Sequence, residues 1–208
     1  MLSEPVRDQV AFEALKHQEL FRRLEAMTAA GMPADYAFLH LANDVAAAVL
    51  ALVCDIELFS QAHYRSSIEA DRELDSLWKD VFLFHWKEES QHAIVDEMEW
   101  QRENEKLNAE QRDDAVDQLI GLVGAVDGIV QMQAKADAQY FGRVAGRDFD
   151  AAHRAASAST TSAAYRRQYI ISGVQDARFL ELLGSMIDAS QWARINAALA
   201  PIVGASMN

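Results

Sequence analysis

The stretch Phe84-His-Trp-Lys-Glu-Glu-Ser-Gln-His-Ala-Ile-Val-Asp-Glu97 decides how the chain is read. It has no breaker, and on a helix advancing about 100° per residue His85, Glu89, His92 and Asp96 fall within about 60° of one another. Trp78, Val81 and Phe82 share or border that arc. Leu77, Phe84 and Val95 flank it on one side, Trp86, Ala93 and Trp100 on the other. Lys79, Asp80, Lys87, Ser90 and Glu97 take the opposite, solvent-like face. Four polar groups therefore sit in the middle of an apolar face. Ionisable groups there are costly unless paired or bound to a cation. Glu89-Ser-Gln-His92 also has the Glu-x-x-His spacing with which a bundle helix points a carboxylate and an imidazole at one metal. Two other readings stay open: a polar network without metal, and a surface seam used for association.

Outward from this helix, the pattern stays helical. Three prolines and nine glycines punctuate 208 residues, and half of the residues are apolar. No run alternates strictly enough for a strand. Helices are expected over about Pro5–Ala30, Asp35–Tyr64, a third ending near Glu105, about Glu110–Val144, and an Ala- and Ser-rich one ending near Ser172. Gly31-Met32-Pro33, a connection over about Arg65–Ala70, and Gly146-Arg147-Asp148 separate them. Asp176–Ile187 is expected to be helical, and Asp188-Ala-Ser-Gln191 reads as a capping box opening a last short helix. The fold class is all-α, with one domain over 1–208: a core bundle over about 35–172 and a helical appendage over about 173–208.

Other helices offer further ligands. Glu57 shares a face with Val53, Leu50 and Ala46, and in an antiparallel hairpin it reaches the depth of His85 and Glu89. Asp127 interrupts an apolar run and points with Val116, Ile120, Val123, Val130, Ala134 and Phe141 to the core side of its helix. Gln131, one turn on, can support it by a hydrogen bond. The alternatives are an exposed Glu57 and a half-buried Asp127 beside Gly124 and Gly128. The Glu13–His17 pair on the first helix is a lesser candidate, and Tyr165 and Tyr169 on the fifth are read chiefly as packing residues. The metal set is thus Glu57, His85, Glu89, His92 and Asp127. Hard carboxylates with imidazoles suit iron or manganese, with zinc a further candidate.

The net charge of -13 argues against nucleic acid as a partner. A single cysteine, Cys54, allows no intrachain disulfide and suits a reducing compartment. The N-terminus has no signal-peptide pattern. The most apolar segment, Val45–Cys54, is too short before Asp55 and Glu57 to span a bilayer. These features point to a cytoplasmic protein without a membrane partner.

With Glu57, His85, Glu89 and His92 in view, the chain resembles the ferritin-like superfamily of carboxylate-bridged di-iron proteins. It is most similar to oxygenases of the p-aminobenzoate N-oxygenase type. There a glutamate precedes a His-x-x-x-Glu-x-x-His helix by an interval like that from Glu57 to His85. The resemblance covers roughly Asp35–Glu105, about a third of the chain. It implies an up-down ferritin-like bundle and up to two iron ions. It also implies a metal-dependent oxidase or oxygenase that uses dioxygen on a small organic substrate. The Glu and Glu-x-x-His set of the family's other half is not evident, and the fifth helix carries Tyr165-Arg-Arg-Gln-Tyr169 in its place. A non-enzymatic helical scaffold with a structural or vestigial metal site, self-associating or partner-binding, is the alternative. No catalytic residue is assigned.

Overall fold

Helix caps set the boundaries. The computed structural model describes residues 29–31, 34–146 and 149–206, and for 34–44 the backbone alone. The first expected helix, with Glu13 and His17, lies outside the described residues apart from its last positions. Gly31 follows it at φ +92°, a left-handed turn that suits glycine. Helix α1 spans Ala34–His63. The connection expected after it is instead one π-helical turn, Tyr64–Ile68, closed by the Glu69 N–H on the Tyr64 carbonyl at 2.9 Å. Helix α2, Ser76–Lys106, starts where the Asp75 carboxylate accepts the Leu77 N–H. Helix α3, Ala109–Val144, opens on a full capping box between Asn108 and Gln111. Helix α4, Ala151–Arg166, is capped by Asp150 and runs into a second π turn, Arg167–Ile171, and a short turn at Ser172–Val174. Asp176 caps α5, Ala177–Met186. Asp188 and Gln191 exchange the capping-box bonds that open α6, Ala189–Ser206. The protein is all-α, with no strand among the described residues.

The chain divides into two compact units, Met1–Ala46 and Ala47–Asn208, within α1; a single domain over 1–208 was the expectation. What is described of the first unit is the turn at 29–31 and helical backbone from Ala34. In the second unit α1 presents an alanine seam, Ala47, Ala48 and Ala51, followed by Cys54 and Leu58, all buried. Small side chains let a large one approach, and Trp100 of α2 shares a small cavity with this seam. Trp100 also stacks on Phe179 of α5, with ring centroids 5.6 Å apart. Phe179, Leu182 and Leu183 of α5 and Ile195 of α6 join the same core. The C-terminal helices, expected as an appendage, therefore build the centre of this unit. The Cys54 thiol is fully buried, and burial first, then the nearby Glu97 carboxylate, push it up to about 12.

Helix α2 is turned from its expected orientation. Its buried residues are Ala93 and Trp100, while Leu77, Trp78, Val81, Phe84, Val95 and Met98 stand exposed. Ser90 and Glu97, expected toward solvent, face other helices: Ser90 bonds to Gln61 of α1, and Glu97 pairs with Arg178 of α5. The packed face is roughly a quarter-turn from the predicted one. The wheel was drawn to the large apolar residues, whereas the tight contact is made through a small one, Ala93.

By length and composition alone, two of the described helical stretches, Val45–Ile68 and Ala109–Val144, are apolar enough to cross a membrane. The first extends well past the Val45–Cys54 segment judged too short. It also carries Asp55, which is 4% exposed.

Asp55 rests against Gly173. A Cβ added at Gly173 would lie 2.2 Å from Asp55 Oδ1 and 2.7 Å from the Asp55 carbonyl oxygen. Gly173→Ala is therefore expected to cost about 1–3 kcal/mol in urea unfolding. Gly184→Ala, inside α5 where an added Cβ meets nothing within 4 Å, serves as the control and should not destabilise. Equal stabilities for the two would contradict the close approach.

Burial, with a smaller contribution from Asp176, lifts the Asp55 carboxyl from 3.8 to about 8. The folded state thus holds a proton that the unfolded chain releases above its own, lower pKa. Stability should accordingly fall as pH rises from about 4 to about 8, by on the order of 1 kcal/mol per pH unit for this group. Urea titrations in chelator should show that slope reduced in Asp55→Asn. Glu57, also raised to about 8, and the raised Asp96 and His92 contribute to the slope that remains. An unchanged slope in the variant would remove Asp55 as its source.

Candidate metal centre

The register between α1 and α2 is set by polar bonds beside the site. The Gln61 side-chain N–H donates to the Trp86 carbonyl at 3.1 Å, and Ser90 Oγ donates to Gln61 Oε1 at 2.8 Å. Trp86 packs on Tyr64, with ring centroids 5.4 Å apart, under the Arg65 guanidinium. Gln61 is one turn from Glu57, and Ser90 is next to Glu89. These contacts hold Glu57 opposite Glu89 and His92. Glu57, Glu89 and His92 each present a ligand atom within 4.8 Å of the others. Gln61 and Ser90 were missed in the sequence, although Gln61 stands four residues after Glu57 on the same face.

Glu89 is the hub. Its Oε2 meets His92 Nδ1 at 2.8 Å, and its Oε1 meets His85 Nδ1 at 3.0 Å. Its side chain is 13% exposed, against 53% for His85 and 52% for His92. The imidazoles thus reach in from a solvent-facing edge and not from the middle of a closed core. His85 lies outside the convergent group and holds Glu89 by its other oxygen.

The electrostatics follow from two carboxylates facing each other. Burial, then the hydrogen bond and charge of Glu89, lifts Glu57 to about 8. The bond from Glu57, with help from His92 and His85, holds Glu89 below its usual range. Contact with Glu89 raises His92 above its ordinary value. Burial raises Asp96 as well. Glu57 and Glu89 therefore share a proton at neutral pH. A divalent cation can take the place of that proton, and two carboxylate oxygens with one imidazole form a donor set that suits it.

Asp127 does not join this group. Its inward direction is as the wheel gave it, but the neighbour there is α4. Arg166 grips it with Nε on Oδ1 at 2.5 Å and Nη2 on Oδ2 at 3.0 Å, and Gln131 Nε2 donates to Oδ2 at 2.7 Å. A carboxylate neutralised by a two-pronged guanidinium has no reason to recruit a metal. Gln131 supports Asp127 as expected, but in an ion pair. The signal lay in Tyr165-Arg166: Tyr165 donates its hydroxyl to Asp137 of α3, and Arg166 takes Asp127. Trp78 and Phe84, placed by the wheel on or beside the site's arc, are exposed, and Trp86 packs beside Gln61.

No protein-family model, curated protein or solved structure matches this chain. The site is accordingly judged by its geometry.

Protein purified without chelators and supplied with iron or manganese should carry metal. Glu89→Ala and His92→Ala should lose it, and Glu57→Gln should weaken binding at least tenfold. Asp127→Ala should leave metal content unchanged, although freeing Arg166 will lower stability. Metal analysis of the four variants is the test. Equal metal in wild type and His92→Ala would refute the assignment.

Proposed function

We propose that this chain is a ferritin-like metalloprotein in which Glu57, Glu89 and His92 hold iron, and that it acts as an oxidase or oxygenase on a small organic substrate. The observation that carries this reading is the convergence of two carboxylates and one imidazole across α1 and α2. The resemblance of Glu57 and the His85–Glu89–His92 helix to di-iron oxygenases supplies the chemistry: iron so held would supply the reduction of dioxygen. On this reading Glu57, Glu89 and His92 would hold the metal, and His85 orients Glu89. The two glutamates would give up their shared proton to a metal, so affinity should rise with pH. The exposed edges of His85 and His92 leave a side of the site open to small molecules. A cytoplasmic setting, with neither membrane nor nucleic-acid partner, belongs to the same proposal.

One observation favours the alternative. Asp127 is committed to Arg166, and α4 carries no second Glu-x-x-His. Three donors serve one ion better than two, which suits a structural or vestigial metal in an interaction protein. Dioxygen uptake separates the two readings. Ferrous-loaded wild type should consume dioxygen faster than free ferrous ion, develop an oxo-to-iron absorption band, and lose both in Glu89→Ala. Metal-loaded protein without dioxygen uptake would leave the scaffold reading in place.

A further inference from the structure

Asp55 and Glu57, two residues apart on α1, leave the helix about 160° from each other. On the Asp55 side, away from the metal ligands, α1, α3, α5 and α6 enclose a cavity of about 240 Å³. Its wall is apolar, made by residues such as Leu52, Leu119, Val123, Phe179, Leu183 and Ile195. Asp55 is the one ionisable side chain in that lining. It is 4% exposed and accepts no hydrogen bond from the described residues; its Oδ1 lies against Gly173, which leaves the other carboxyl oxygen for the cavity. Leu180, which is 38% exposed, and the exposed Asn196 also border the cavity and give it a mouth.

Each half of this arrangement asks for a different part of one ligand. A dry apolar cavity of about 150 Å³ takes up benzene in an engineered protein, so this larger one has room for a ring or chain and a head group. A buried carboxyl without a donor costs about 1–3 kcal/mol, which a ligand N–H or O–H on the oxygen turned away from Gly173 would recover. A water molecule wants two to four polar partners, and this wall offers little beyond Asp55. We propose that the cavity binds a small amphipathic molecule with an apolar body of about six carbons, whose amine or hydroxyl head donates to Asp55. The site is independent of whether Glu57, Glu89 and His92 hold a metal.

Calorimetric titration of the full chain with hexan-1-ol, hexylamine and toluene tests this. All three should bind wild type, and both donor ligands should bind at least tenfold more tightly than toluene. In Asp55→Ala the alcohol and amine should fall to the affinity of toluene, while toluene is retained. Val123 lines the cavity and is half-buried, so a larger side chain there takes up cavity space. Val123→Phe should therefore abolish binding of all three. That variant decides the matter even if Asp55→Ala fails to fold. A tighter amine would mark a cationic head and equal affinities a neutral donor, and either supports the site. Toluene binding wild type as tightly as the donors would overturn the role of Asp55. No binding to wild type, or equal binding to Val123→Phe, would overturn the cavity as the site.

Discussion

Two carboxyl groups on α1 have to leave water, and they do so on opposite sides of the same helix. Asp55 goes into an apolar interior and Glu57 against another carboxylate. Among the described residues neither meets an arginine or lysine. Both are driven toward the protonated form, Asp55 by burial and Glu57 by burial together with Glu89. Most of what surrounds α1 accommodates this choice. Gly173 gives up its side chain to make room for Asp55. His85 and His92 grip Glu89 from either side so that it stays charged while Glu57 stays neutral. The alanine seam and Trp100 fix α2 closely enough for the pairing to form.

The α3–α4 half of the unit handles its charges in the opposite way. Asp127 and Asp137 are each given a partner, because α4 brings a guanidinium to one and a phenol to the other. Helix α4 buries no residue of its own. Consecutive residues of one turn, Tyr165 and Arg166, thus fasten a helix that hydrophobic contact alone would hold loosely. Tyr165 continues through Tyr169 to Phe59, linking this polar anchor back to α1 through edge-to-face rings. The two halves differ in what a cation would do to them. Between Glu57 and Glu89 it removes a repulsion. At Asp127 it would have to displace an arginine.

The sequence carried the helices and the α1–α2 pairing well. Helix caps are local, and Asn108, Asp176 and Asp188 announce themselves. Glu57 and the Glu89–His92 spacing were legible because both helices are long, unbroken and antiparallel, so depth could be counted. Asp127 was read in the right direction but with the wrong neighbour. A helical wheel says which way a residue points, not which helix stands there. The orientation of α2 was missed for a related reason: the wheel weighs Trp78 and Phe84 heavily, while the close contact runs through Ala93. Asp55 was read only as a charge that ends an apolar run. Its burial depends on Gly173, more than a hundred residues away, and on α5 and α6, which no local pattern ties to α1.

The two π turns have a consequence for how these parts are phased. A wider turn absorbs an extra residue, so the helix after it is rotated relative to the helix before it. At Arg167–Ile171 this separates Arg166, aimed at α3, from Ile170 and Ile171, which are buried as neighbours, and from Gly173 beneath Asp55. The turn works as a rotational joint within one continuous helix. The face that answers Asp127 and the face that answers Asp55 can each be set to its own angle. A strict α-helix through this segment would satisfy one carboxylate only by turning away from the other.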